Sequence, residues 1–194
     1  MLSLKVRRFM KMDEPEDIIL IKSYIAGDER AFEILYRRYR KQLYGYLYNL
    51  LSGNTAECDE IFEETWIKVI DKLPAYRDQG KFSAWLFRIA RNIFIDTVRR
   101  SKRCAMPLES GELPDVPDWS QRPERNMEEQ DTLRIIENAL AEIPEDQREV
   151  FLLRQQSLSF REIAEIQECP VNTVLGRMHY ALRSLRKIIT GKVN

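Results

Sequence analysis

The sequence predicts an all-α protein with two small helical domains joined by a flexible acidic linker. Apolar residues recur every three or four positions, and no segment shows a sustained alternation of apolar and polar residues. This periodicity stops over residues 102–126, where four prolines lie among acidic and small residues. We therefore expect a helical domain over residues 13–101, a linker over 102–126 and a second helical domain over 127–194, behind a basic arm at 1–12.

Four helices are predicted in the first domain. A short helix with Ile18 and Ile21 ends before Gly27, and Asp28 is a candidate N-cap for the next helix. That second helix carries the apolar stripe Phe32, Leu35, Tyr36, Tyr39, Leu43, Tyr46, Leu47 and Leu50. The third ends near Pro74 and carries Ile61, Phe62, Thr65, Trp66, Val69, Ile70 and Leu73. The fourth, over residues 81–100, has on one side Phe82, Trp85, Leu86, Ile89, Ala90 and Ile93.

The second domain is also predicted to be helical. Its periodicity begins at Met127 and is interrupted at Pro144. Ser159 and Glu162 have the spacing of a capping box, which predicts the start of a short helix. Pro170 then separates this short helix from a final helix predicted over residues 171–189.

The composition excludes several classes of site. The three cysteines Cys58, Cys104 and Cys169 are far apart in sequence, which argues against a disulfide framework or a zinc ribbon. The single histidine excludes an HExxH site and a zinc finger built from two cysteines and two histidines. No apolar run approaches the roughly 18 residues that span a bilayer. The amino-terminal residues lack the apolar core of a secretory signal. We predict a cytoplasmic protein with no cofactor and no metal.

A net charge of zero conceals three charged blocks. Residues 77–103 hold eight basic and two acidic residues, whereas residues 104–131 hold eight acidic and two basic ones. From residue 170 onward there are five basic residues and no acid. Two basic blocks separated by an acidic one suit a protein that holds two stretches of phosphate backbone.

The carboxy-terminal stretch SFREIAEIQECPVNTVLGRMHYALRSLRK has the layout of a helix-turn-helix. The first helix would bury Ile163, Ala164 and Ile166, and the second would bury Val174, Met178, Ala181, Leu182 and Leu185. The opposite face of the second helix offers Asn172, Thr173, Gly176, Arg177, Tyr180 and Arg183. Arginine, asparagine and threonine suit the base edges of a major groove. The alternative is an ordinary packed helix pair with a solvated basic face.

A second candidate surface lies on the helix over residues 81–100. At about 100° per residue, one side of this helix carries Lys81, Arg88, Arg91, Asn92 and Arg99, with the small Ala84 between them. The preceding loop adds Tyr76 and Arg77. Cations beside aromatic rings suit single-stranded DNA, whose bases stack and whose phosphates are neutralised. We expect Phe82 and Trp85 to be core residues, and the residues alone leave the role of Tyr76 open.

The third helix begins with a cluster of acids, Glu57, Asp59, Glu60, Glu63 and Glu64. They can complement the positive end of the helix dipole. They can also form a docking face for a basic partner, with Ile61, Phe62 and Trp66 as apolar anchors. A two-metal carboxylate site is disfavoured, because the Glu-x-x-His pairs of such sites are absent. The residues alone do not decide between the first two interpretations.

Five strings resemble the extracytoplasmic-function (ECF) branch of bacterial sigma factors. They are GDERAFEILYRRY, DEIFEETWIKV, FSAWLFRIARNIFIDTVRR, IPEDQREVFLLR and SFREIAEIQECPVNTVLGRMHYAL. They occur in the family's order and spacing, and the resemblance covers about residues 17–187. The resemblance implies a non-enzymatic transcription initiation factor that binds core RNA polymerase and promoter DNA and is regulated by an anti-sigma factor.

The resemblance also implies roles for individual residues. Docking on the clamp helices of the largest catalytic polymerase subunit would use Asp59, Glu60, Phe62, Glu63, Glu64 and Trp66. Capture of the melted minus-10 element would use Tyr76, Arg77, Lys81, Arg88, Arg91, Asn92 and Arg99. Reading of the minus-35 duplex, beside the polymerase flap region, would use Arg161, Asn172, Thr173, Gly176, Arg177, His179, Tyr180 and Arg183. The acidic linker would thread through the polymerase toward the RNA path.

The recognition helix departs from the usual family pattern at four positions. Asn172, Leu175, Gly176 and Tyr180 stand where glycine, lysine, serine and arginine are usual. Two frequent phosphate-contacting cations are therefore absent, and we expect weaker or differently directed minus-35 binding. Two other functions are consistent with parts of the sequence. One is a stand-alone helix-turn-helix regulator, and the other is a carboxylate-dependent nuclease that uses Glu60, Glu63 and Glu64.

Overall fold

The computed structural model of the chain describes residues 15–77, 82–104 and 127–193. No strand occurs in these ranges, and the predicted all-α class is confirmed. Eight α-helices and a 3₁₀ turn at Leu73–Ala75 follow one another within the described ranges. The helices are α1 (Asp17–Ile25), α2 (Glu29–Leu50), α3 (Thr55–Lys72), α4 (Phe82–Cys104), α5 (Met127–Glu142), α6 (Glu145–Gln155), α7 (Phe160–Gln167) and α8 (Val171–Val193). None of these described helices is long and apolar enough to cross a bilayer.

The helix boundaries of the amino-terminal half follow from local chemistry. Gly27 has a φ of 102°, a conformation that favours glycine, and it separates α1 from α2. The Asp28 carboxylate accepts a hydrogen bond from the Arg30 amide at 3.1 Å, which confirms the predicted N-cap. Asn54 caps α3 in the same way by accepting from the Glu57 amide at 3.3 Å. Pro74 lies in the 3₁₀ turn that ends α3.

The core of the amino-terminal half is rich in aromatic residues. Tyr46 and Phe87 are fully buried, and their rings meet edge to face at 5.2 Å. Phe82 is 2% exposed, as expected, and packs on Tyr39 at 5.3 Å. Edge-to-face pairs of this kind add roughly 0.5–1.5 kcal/mol each beyond the burial of their area. They fix α2 against α4.

The carboxy-terminal half contains the predicted helix-turn-helix. The capping box is confirmed, since Ser159 Oγ accepts from the Glu162 amide at 3.3 Å and the Glu162 carboxylate accepts from the Ser159 amide at 2.7 Å. Glu168 adopts a left-handed conformation with a φ of 52°, which ends α7 before Pro170. The prediction that Leu182 is buried is wrong, because it is 49% exposed. It lies about 100° round α8 from the buried Ala181.

The two halves pack directly on each other. Helix α2 contacts α6, and α4 contacts α7. Helix α4 continues to Cys104, so the first residues of the predicted linker are helical. The rest of that linker, residues 105–126, and the predicted basic arm at 1–12 lie outside the described residues. The contact between the halves had no counterpart in the sequence prediction.

Substitution of Ser159 by alanine tests the capping box. Ser159→Ala removes the acceptor for the Glu162 amide, so we expect the free energy of unfolding to fall by about 1 kcal/mol. Denaturant-induced unfolding followed by circular dichroism measures the change. Thr190→Ala is the matched control, because the Thr190 hydroxyl donates to a carbonyl within its own helix at 2.7 Å and caps no helix start. Equal losses in the two variants would contradict the assignment.

Candidate functional site

The predicted minus-10 face of α4 is only partly exposed. Arg88, Asn92 and Arg99 are exposed on one side of the helix. The Arg91 side chain is only 15% exposed, and its Nε donates to Glu149 of α6 at 2.9 Å. Lys81 lies outside the described residues. One predicted DNA contact is therefore engaged within the chain.

Tyr76 lies at the edge of the core, facing a cavity. Its ring centroid is 4.7 Å from that of Trp85 and 5.8 Å from that of Phe82. Both Tyr76 and Trp85 are half-buried, so the expectation of a core position is met by Phe82 and only partly by Trp85. The cavity measures about 410 Å³ and lies between the halves of the chain. Its lining includes the exposed predicted residues Arg77 and Arg88.

The predicted minus-35 residues form an exposed surface on α7 and α8. The exposed members are Arg161, Asn172, Thr173, His179, Tyr180 and Arg183. Gly176 lies on the same helix and is half-buried. Tyr180 is 55% exposed, and its ring meets that of His179 edge to face at 5.6 Å. Leu175 is 43% exposed, and it stands where the usual ECF pattern has lysine. This surface is therefore more apolar than that pattern implies.

Arg177 is directed into the protein. Its Nε lies 2.9 Å from Asp146 Oδ2, and its NH1 donates to Gln167 Oε1 at 2.8 Å. Gln167 is 5% exposed, so this hydrogen bond satisfies a buried acceptor. Arg177 therefore ties α8 to α6 and α7. Sequence reasoning placed it on the DNA-facing side because the helix period alone does not reveal a bond to another helix.

The acidic helix α3 presents a mixed surface. Glu60 and Glu63 are exposed, whereas Asp59 accepts a hydrogen bond from Tyr44 Oη at 2.8 Å. Glu64 pairs with Lys68 at 2.7 Å. The predicted apolar anchors are less exposed than these carboxylates. Phe62 is half-buried, and Trp66 is 5% exposed within an aromatic cluster with Tyr36 and Phe32.

Two isoleucines that sequence reasoning did not assign to docking complete this surface. Ile67 is 60% exposed and Ile70 is 38% exposed. With Glu60 and Glu63 they fall within roughly 80° of arc on α3, at about 100° per residue. The spacing of three and four residues was the available signal. Ile70 belongs to the apolar stripe predicted for this helix, whereas Ile67 does not. We call Glu60, Glu63, Ile67 and Ile70 the α3 face.

The most buried charged group between the halves is the Glu149 carboxylate. Its side chain is 7% exposed, and Oε1 accepts from both Tyr46 Oη at 3.0 Å and Arg91 Nε at 2.9 Å. Its Oε2 accepts from Gln167 Nε2 at 2.5 Å. Burial raises the pKa of Glu149, and Arg91 and the three hydrogen bonds oppose that rise. Glu149 lies one turn before the buried Leu153, and this was the only sequence signal of its position.

Arg148, the preceding residue, also reaches across to the amino-terminal half. Its NH1 donates to the Leu50 carbonyl at 3.1 Å, to the Asn49 carbonyl at 3.4 Å and to the Ser52 hydroxyl. These acceptors lie at the carboxy-terminal end of α2, where helix carbonyls lack partners and the dipole favours a cation. Burial lowers the pKa of Arg148. Two adjacent charged residues of α6 therefore hold two helices of the other half.

A protein-family model matches each half of the chain. The Sigma-70 region 2 family model matches residues 35–104, and the Sigma-70 region 4 family model matches residues 133–185. The ECF RNA polymerase sigma-E factor of Haemophilus influenzae is 30% identical over 91% of this chain and 95% of its own length. The ECF RNA polymerase sigma factor SigW of Bacillus subtilis is 31% identical over 86% of this chain and 93% of its own length. The chain belongs to the ECF family of sigma factors.

Solved sigma factor structures share the fold of this ECF sigma factor. Bartonella quintana RpoE, solved with the anti-sigma factor NepR, is 21% identical with a TM-score of 0.66 over 82% of this chain and 96% of the other. CnrH, solved with the cytosolic domain of CnrY, is 22% identical with a TM-score of 0.65 over 91% of this chain and 99% of the other. This chain therefore has the two helical domains of the ECF sigma factor fold.

The chain is an alternative sigma factor and not an enzyme, since its family consists of transcription initiation factors. The nuclease hypothesis, built on Glu60, Glu63 and Glu64, is therefore set aside. Among the described residues, no group of three His, Cys, Asp or Glu side chains could hold a metal ion.

Removal of the Arg177 side chain tests its structural role. Arg177→Ala leaves the buried Gln167 oxygen with only the long contact from Cys169 Sγ at 4.0 Å, so we expect the free energy of unfolding to fall by about 1–2 kcal/mol. The ion pair with Asp146 adds little, because the Asp146 side chain is 48% exposed. Urea unfolding of the full chain measures the change. Arg183→Ala, an exposed position on the same helix, should leave stability unchanged. An unchanged stability in Arg177→Ala would contradict the role.

Proposed function

We propose that this sigma factor acts in the cytoplasm, where it docks on core RNA polymerase through α3 and binds promoter DNA through α4 and α8. The observation that carries the proposal is the exposure of three separate polar surfaces on these helices. They fall within the ranges matched by the two sigma region models. Each surface offers a different chemistry, and the three binding steps therefore need no shared residues.

The proposed docking step uses the α3 face. Exposed carboxylates of Glu60 and Glu63 lie beside the apolar side chains of Ile67 and Ile70. Apolar anchors within a charged rim are typical of protein interfaces. The charge of the rim favours a basic partner, and the clamp helices of the largest catalytic subunit are the partner that the family implies. Trp66 and Phe62 pack against the hydrophobic core and thereby hold α3, with its exposed α3 face, in position.

The proposed minus-10 step uses α4 and the turn before it. Arg88 and Asn92 are exposed one helical turn apart, and both can bind phosphate or base edges of unpaired DNA. Tyr76 and Trp85 line the neighbouring cavity, and aromatic rings of this kind are suited to a base held out of the stack. Binding of unpaired DNA draws the promoter toward the melted state by differential affinity, without chemistry.

The proposed minus-35 step uses the first turns of α8. Asn172 and Thr173 are exposed at its amino-terminal end, where a recognition helix reaches base edges. Arg161 on α7 and Arg183 further along α8 are exposed and can bind the flanking phosphates. The replacement of two usual cations by Leu175 and Tyr180 weakens the electrostatic part of this binding.

We further propose that an anti-sigma factor regulates the chain. Bartonella quintana RpoE and CnrH are solved in complexes with NepR and CnrY respectively. Helix α8 offers such a partner the exposed apolar side chains of Leu175, Tyr180 and Leu182. Apolar residues on a surface that should also bind DNA suit a partner that competes with DNA.

Reconstituted run-off transcription tests the proposed function. The purified chain and core polymerase are combined with a library of promoter fragments, and the transcripts are sequenced. We expect a specific subset of promoters to be transcribed above the level of core polymerase alone. The absence of such transcripts would contradict the proposal.

A double substitution separates DNA capture from docking. Arg88→Ala combined with Asn92→Ala removes two exposed polar groups from α4, so we expect open-complex formation to fall by about ten-fold or more. Permanganate reactivity of unpaired thymines measures open complexes, and native gel electrophoresis measures binding to core polymerase. Binding to core polymerase should be unchanged. Loss of that binding would mean that the docking surface lies on α4.

A charge introduced on α3 tests the α3 face. Ile67→Glu places a carboxylate at its most exposed apolar position, so we expect the affinity for core polymerase to fall by about ten-fold. The matched control is Ile19→Glu, because Ile19 is 52% exposed on α1 and lies outside the face. Fluorescence titration of labelled chain with core polymerase gives both affinities. Equal losses would place docking elsewhere.

A further inference from the structure

We propose that Leu175 is a specificity-determining residue of the minus-35 step, and that it contacts the 5-methyl group of a thymine in the major groove. The inference rests on the proposed minus-35 function of α8 and deepens it, because it assigns one base of the element to one side chain. A leucine here replaces a phosphate contact, which carries no sequence information, by a contact with a base edge, which does.

Leu175 lies on the exposed side of α8, near the amino-terminal end of the helix. It is the fifth residue of α8 and is 43% exposed. The preceding Val174 is fully buried, and Leu175 lies about 100° round the helix from it. The exposed Asn172 lies about 60° round from Leu175 and nearly one turn before it. Leu175 therefore belongs to the part of a recognition helix that reaches base edges.

The packing of α8 does not require a leucine at residue 175. The buried apolar positions of this helix are Val174, Ala181 and Leu185. Leu175 leaves much of its apolar surface in water, and burial of that surface against a partner is favourable. The side chain has no charge, so it adds nothing to the attraction between α8 and the phosphate backbone. Apolar contact is therefore the contribution that Leu175 can make to DNA binding.

Gly176 gives an independent reason to place a base edge beside Leu175. Glycine inside a helix is destabilising relative to alanine, because it loses more conformational freedom on folding. Apart from its chain neighbours and the surrounding helix backbone, no described part of the chain lies within 4 Å of the position that a Cβ would take. Internal packing therefore does not require glycine there. Gly176 lies about 40° round α8 from the exposed Asn172, and a glycine permits close approach of the helix to a ligand.

Thymine is the base that suits an apolar side chain in the major groove. Its edge carries a methyl group, whereas guanine, adenine and cytosine present hydrogen-bonding groups there. Leucine against such a polar edge would exclude water without replacing its hydrogen bonds, which is unfavourable. The neighbouring Asn172 can bind adenine through two hydrogen bonds. The first turns of α8 are therefore suited to an element of adenine and thymine.

Leu182 distinguishes this role from the proposed contact with an anti-sigma factor. Leu182 is 49% exposed and falls about 20° round α8 from Leu175, but about two turns further along the helix. Base contacts come from the amino-terminal part of a recognition helix. Both leucines are suited to a protein partner, whereas only Leu175 is placed to contact the thymine.

The test removes the methyl group and the leucine side chain separately. The full-length chain with core polymerase first selects templates from promoters with a randomised minus-35 region, by run-off transcription and sequencing. Each thymine of the selected minus-35 duplex is then replaced by deoxyuridine, which lacks only the 5-methyl group. Fluorescence anisotropy measures the affinity of the holoenzyme for each duplex. The variants are Leu175→Ala and Leu175→Lys, and Leu182→Ala is the matched control.

At one thymine we expect deoxyuridine to weaken binding by the wild-type holoenzyme roughly four-fold, the effect of one apolar carbon group returned to water. Leu182→Ala should show the same loss, whereas Leu175→Ala should bind the thymine and deoxyuridine duplexes equally. Leu175→Lys should also lose the preference for the methyl group. Its added cation should steepen the slope of log affinity against log salt concentration by about one.

Three results would overturn the inference: a selected element without thymine, no effect of deoxyuridine in the wild-type holoenzyme, or an effect that persists in Leu175→Ala. The proposed function would survive each of them, because the selected promoters would still be transcribed. If the wild-type chain directs transcription from no promoter, the proposed function fails, and the inference fails with it.

Discussion

The Glu149 carboxylate accepts hydrogen bonds from Tyr46, Arg91 and Gln167, which belong to three different helices. A charge that is 93% buried constrains its surroundings more strictly than an apolar side chain of the same size, because each of its oxygens needs donors at fixed distances. Removal of one partner from such a pair typically costs about 3–5 kcal/mol. Apolar contacts between the halves favour their association, while the Glu149 carboxylate specifies one orientation of the halves relative to each other.

That orientation connects the fold with the function. The family models place region 2 and region 4 on the two halves, and both regions are proposed to bind DNA. The contact between α4 and α7 brings the two regions together in the structure.

Local features of the fold were predictable from the sequence, because they depend on neighbouring residues. The Asp28 cap and the Ser159–Glu162 capping box each involve residues two or three positions apart. The helix-turn-helix followed from periodicity and from Pro170. The bonds of Arg91 to Glu149 and of Tyr46 to Glu149 span 58 and 103 residues, and such pairings leave no local pattern.

The candidate surfaces were predictable in outline, since one polar side of each helix could be identified. Whether each side chain on that side is exposed or bonded within the protein was not predictable. Arg177 bonds within the protein and Ile67 is exposed, because the packing of other helices decides which side of a helix meets solvent. The polymerase itself could not be inferred from charge or periodicity. It came from the order of five motifs along the chain.

The distance between the halves of the free chain tests the central claim most directly. Dyes attached through unnatural amino acids at the exposed positions Lys41 on α2 and Lys187 on α8 report this distance by single-molecule energy transfer. For the wild-type chain alone we predict one narrow population of high transfer efficiency, because the halves pack directly on each other. A broad population of low efficiency in the free chain would contradict the account.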